Sequence, residues 1–70
     1  MATLVELTRT LALKCSKLNS FAWAEALNQS AHVTRYAGMS HEAIAALWEQ
    51  HLDAGTLTID VSKPPMVFIP

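Results

Sequence analysis

The period of the apolar pattern changes once along this chain, at Gly55, and that change constrains the fold more than any other feature. Before it, Ile44, Leu47, Trp48, His51 and Leu52 recur at i, i+3, i+4, i+7 and i+8, the stripe of one helix face. After it, Leu57, Ile59 and Val61 alternate with Thr56, Thr58 and Asp60, as in a strand with one buried side. Gly55 stands where a helix wants a left-handed residue to close it. A helix therefore hands over directly to a strand. Ser62-Lys63-Pro64-Pro65 cannot prolong the ladder, because proline has no amide donor, so it predicts a turn before a second strand, Met66-Val67-Phe68-Ile69.

Two more helices precede this unit. Leu4, Leu7, Leu11, Cys15 and Leu18 make one helical face over Thr3 to Leu18, with Thr3 and Glu6 placed as a capping box and Lys14 and Lys17 at the negative end of the dipole. Ser20 is the expected N-cap of a second helix starting at Phe21, with Phe21, Ala24, Leu27 and Ala31 facing the core, Trp23 beside that stripe and an end near His32. Val33 to Met39 is a connector, and Ser40 caps the third helix, with Glu42 in its first turn. The expected fold class is α+β: three helices followed by a C-terminal β-hairpin in one domain spanning 1–70.

At 70 residues, folding buries only about 60% of the surface the unfolded chain exposes, so stability is expected to be small and a staple or partner useful. Cys15 is the only cysteine and cannot form an internal disulfide, which fits a reducing compartment, so a cytoplasmic protein is expected. Nothing in the sequence reads as a signal peptide or membrane span. Five basic and six acidic residues with 51% apolar content argue against disorder and against the basic excess of most nucleic-acid binders.

The run Leu47-Trp48-Glu49-Gln50-His51-Leu52-Asp53-Ala54-Gly55-Thr56-Leu57-Thr58-Ile59-Asp60, in the order helix, helix, helix, strand, turn, strand, resembles the winged helix-turn-helix superfamily. The resemblance implies a helix-turn-helix pair at Ser20 to Leu27 and Ser40 to Leu52, and a wing tip at Ser62 to Pro65. It departs between the helices, where Asn28 to Met39 supplies a dozen residues in place of a turn of roughly three or four. It departs also in charge. The face opposite the third helix's apolar stripe is expected to carry Glu42, Ala45, Glu49 and Asp53, and carboxylates there would meet phosphate repulsion in a DNA groove.

No residue pattern calls for catalysis. His32, His41 and His51 are spaced too widely for a helical metal pair, Cys15 lies on a core stripe, and the two glycines make no phosphate loop. No enzyme activity, cofactor or metal is expected. Trp48 and Phe68 are expected to pack in the core against the first helix and hairpin, and His51 to be a partly buried core histidine. Trp23 and Tyr36 are the residues split between core and interface, and if exposed would anchor a protein partner, with Glu42 and Glu49 of the acidic face. The leading expectation is thus a small winged-helix-like adaptor or inhibitor acting by protein docking, the size of accessory proteins of phages or mobile elements. The alternative is a dimeric DNA-binding regulator with Arg35 and Lys63 on phosphate and His41 or Gln50 near base edges. Met66 to Pro70, apolar on both sides, would also suit homodimerisation through the C-terminal strand.

Overall fold

The computed structural model describes residues 3–70. It has three α-helices, α1 (Leu4–Lys14), α2 (Ser20–Ser30) and α3 (His41–Ala54), followed by two strands, β1 (Thr58–Asp60) and β2 (Met66–Phe68), paired as an antiparallel hairpin. The architecture is α+β, with helices first and sheet last, as the change of period at Gly55 requires. A single 3₁₀ turn, Thr34–Tyr36, lies between α2 and α3.

The helix ends follow from local chemistry. The Thr3 hydroxyl accepts the Glu6 amide, and the Ser40 hydroxyl accepts the Ala43 amide. Gly55 adopts φ 73°, and the amides of Gly55 and Thr56 return to the carbonyls of Leu52 and His51, which closes α3 in a Schellman arrangement. The second cap differs from expectation. Asn19, not Ser20, is the N-cap of α2, its Oδ1 accepting the Ala22 amide at 2.8 Å, while Ser20 is already helical. Asn19→Ala is therefore expected to cost about 1 kcal/mol in urea denaturation while Ser20→Ala changes little. Equal effects of the two would contradict this cap.

Helix α1 is shorter than its apolar stripe. It stops at Lys14, where the backbone of Cys15 turns extended; the Cys15 carbonyl accepts the Trp23 indole nitrogen at 3.2 Å, and Leu18 lies in the core. Cys15 itself is half-buried at the core edge.

One core joins the elements: Leu11 and Leu18 from the first segment, Trp23, Ala26 and Leu27 from α2, Tyr36, then Ile44, Ala45 and Trp48 from α3, and Val67 from β2. Helix α1 packs on α2 and α3, while β2 lies against α2. Thr8 is buried without penalty because its hydroxyl donates back to the Leu4 and Val5 carbonyls. Among the described residues no buried side-chain polar atom lacks a partner.

Several expected core positions are corrected. On α2 the buried stripe is Trp23, Ala26, Leu27 and Ser30, a full i, i+3, i+4, i+7 set, and this rotation leaves Phe21 74% exposed. On α3, Ala45 is buried, so the solvent face runs through Glu42, Ala46, Gln50 and Asp53. In the hairpin, Ile59 pairs with Val67 on the inner face. Period two then turns Phe68 outward, half-exposed, contrary to its expected core role. Val61 is 63% exposed because the strand ends at Asp60, whose carboxylate accepts the Ser62 amide and starts the turn.

Candidate groove between α2 and the hairpin tip

A groove of about 730 Å³ lies between the start of α2 and the tip of the hairpin. Phe21, Glu25 and Gln29, successive turns of the solvent side of α2, form one wall; Val61, Ser62, Lys63, Pro64 and Pro65 form the other, with Leu18, Asn19 and Ala22 completing the lining. The wall geometry is local in origin. Asn19 fixes the helix start so that Phe21 faces outward in its first turn. The Asp60 carboxylate and the Ser62 hydroxyl, which donates to the Pro64 carbonyl, shape the tip.

The charge in this groove is mixed. Glu25 is half-buried on the helix wall and Lys63 exposed on the hairpin wall. Among the described residues neither forms an ion pair, and the only such pair is Lys14 with Asp53, at 3.1 Å, joining α1 to α3.

The residues singled out from sequence scatter. Trp23 is 0% and Tyr36 3% exposed, so neither is an interface anchor. Both belong to a buried aromatic group in which the Trp48 indole donates to the Tyr36 hydroxyl at 3.0 Å, with ring centroids 5.8 Å from Trp23 and 6.2 Å from Tyr36. Their physical reason for burial is area: in so small a core three large rings supply much of the apolar surface removed from water. Glu42 is exposed and Glu49 half-buried on α3.

The expected nucleic-acid contacts are not gathered either. Arg35 donates to the backbone oxygen of Pro70 beside a smaller apolar hollow of about 110 Å³ lined by Val33, Tyr36, Met66 and Phe68 among others, whereas Lys63 lies in the larger groove. His41 is half-buried, its Nε2 3.1 Å from the Asn28 Oδ1, and Gln50 stands exposed on α3. His51 Nδ1 is 2.7 Å from the Thr56 hydroxyl, which ties the helix end to the chain leaving it. No group of three or more metal-type side chains comes together among the described residues. Among the described residues no helix is long and apolar enough to cross a membrane.

No protein-family model, curated protein or solved structure matches the chain.

Sequence reasoning missed Phe21, Glu25 and Val61. The signal for Phe21 was the i, i+3, i+4, i+7 set at Trp23, Ala26, Leu27 and Ser30, disguised because its last member is polar.

Proposed function

We propose that the chain is a small, non-enzymatic, winged-helix-like adaptor or inhibitor that acts by docking on protein, with the groove between α2 and the hairpin tip as its docking surface. The observation that carries this reading is Phe21, an aromatic ring 74% exposed on one wall of the groove with Val61 exposed on the other. Large apolar side chains grouped at a concave surface are characteristic of interaction sites, and aromatics concentrate where interfaces draw their affinity. The order of three helices and a hairpin supports the winged-helix-like description.

The DNA-binding alternative gains less support. In that class the third helix enters the major groove, and here the exposed side of α3 presents Glu42, Ala46, Gln50 and Asp53 with no basic side chain. The test has two arms. Titration into labelled random duplex DNA, followed by anisotropy at low and moderate salt, is expected to show no salt-sensitive binding. Affinity capture with the immobilised chain is expected to retain a protein that the Phe21→Asp variant loses. Micromolar, salt-sensitive DNA binding abolished by Lys63→Glu would replace this reading with that of a regulator.

A further inference from the structure

We propose that the groove takes a second copy of this chain, in a two-fold symmetric dimer that places Phe21 of each copy against the Val61 wall of the other and Glu25 of each facing the partner's Lys63. The inference rests on the groove being a docking surface and names its occupant.

The argument is one of self-complementarity. A two-fold interface brings the same patch of both copies together, so every feature of the patch must be answered by another feature of that same patch. This groove meets the condition. Its apolar elements, Phe21 and Val61, stand on opposite walls, and so do its charges, Glu25 on the helix and Lys63 on the hairpin. Among the described residues neither charge has an ion-pair partner. A groove shaped for a strongly acidic or strongly basic partner would carry one sign of charge, and this one carries both.

Exposed apolar surface points the same way. A symmetric contact would cover Phe21 and Val61, two of the most exposed large apolar side chains in the fold.

Sedimentation equilibrium over a wide concentration range tests the proposal. The wild-type chain is expected to dimerise reversibly, and Phe21→Asp to remain monomeric. Phe21 lies outside the core in the first turn of α2, where an acid suits the helix dipole, so this variant keeps its fold, which circular dichroism checks. Glu25→Lys and Lys63→Glu are each expected to weaken self-association about tenfold, since the contact occurs twice in the dimer.

Mixing those two charge variants is the decisive step. One then carries two lysines in the groove and the other two glutamates, so a one-to-one mixture is expected to form a heterodimer tighter than either homodimer. A wild-type chain that stays monomeric throughout, or a mixture that associates no better than its components, overturns the dimer. If the chain is monomeric while Phe21-dependent capture of another protein persists, the second copy falls and the docking surface stands. If neither is observed, both fall.

Discussion

Trp48→Ala is expected to remove about 3 to 5 kcal/mol of stability, the range for truncating a buried tryptophan. Trp48 is fully buried on the inner side of α3 and touches the other two rings of the core. Its loss takes away three things together: the apolar area of the indole, the tilted and edge-on contacts with Trp23 and Tyr36, and the hydrogen bond to the Tyr36 hydroxyl. The last matters beyond area, because a buried hydroxyl stripped of its partner carries a desolvation cost of about 1 to 3 kcal/mol. A chain of 70 residues has roughly 4 to 10 kcal/mol in total. The variant should therefore lose about a third or more of the wild-type stability, and come close to its midpoint without denaturant if the total lies at the low end of that range, as read by urea titration with far-ultraviolet circular dichroism. A loss under about 1 kcal/mol would contradict the central place of this ring.

Trp23→Ala is expected to cost a similar amount, about 3 to 5 kcal/mol, by a different route. The Trp23 indole packs on Trp48 and also donates to the Cys15 carbonyl, just beyond the end of α1 and shortly before the buried Leu18. Removing it loosens the segment from Cys15 to Asn19 as well as the core. Amide hydrogen exchange there should quicken more than in α3, a pattern that would be absent if Trp23 were a surface contact. The consequence for binding experiments is direct. A Trp23→Ala variant that fails to hold a partner reports lost structure, whereas Phe21→Asp alters the groove with the core intact.

Trp48 was expected in the core from its place on the third helix's stripe, whereas Trp23 shows where sequence reasoning reaches its limit. The third helix was legible in its bounds because its signals agree: Ser40 caps it, an apolar stripe fills one side, and Gly55 ends it with a left-handed residue, although Ala45, expected on the solvent face, is buried. The hairpin was legible from the alternation after Gly55 and the prolines at its tip, although its strands are shorter than the apolar pattern suggested. The second helix was legible as a helix but not in its rotation. Phe21 and Trp23 both stand near its start, and hydrophobicity alone does not say which ring turns inward. Burial of Ser30 settled the phase, and a serine gives no apolar signal.

The candidate site was hidden for a related reason. Its walls come from α2 and from the hairpin tip, separated by the whole of α3 in sequence. No local spacing relates Glu25 to Lys63. Likewise, Arg35 and Lys63 look like a matched pair of cations in the sequence, yet they lie at different hollows because the hairpin carries one toward α2 and Pro70 engages the other.

What the sequence by itself determined is the kind and order of elements, since caps, periodicity and proline act over a few neighbouring residues and need no knowledge of the fold. The rotation of α2 was decided only in the tertiary structure. That choice depends on how rings from three segments fill one volume: Trp23 and Trp48 meet Tyr36 in the core, and this packing leaves Phe21 outside, on the wall of the groove.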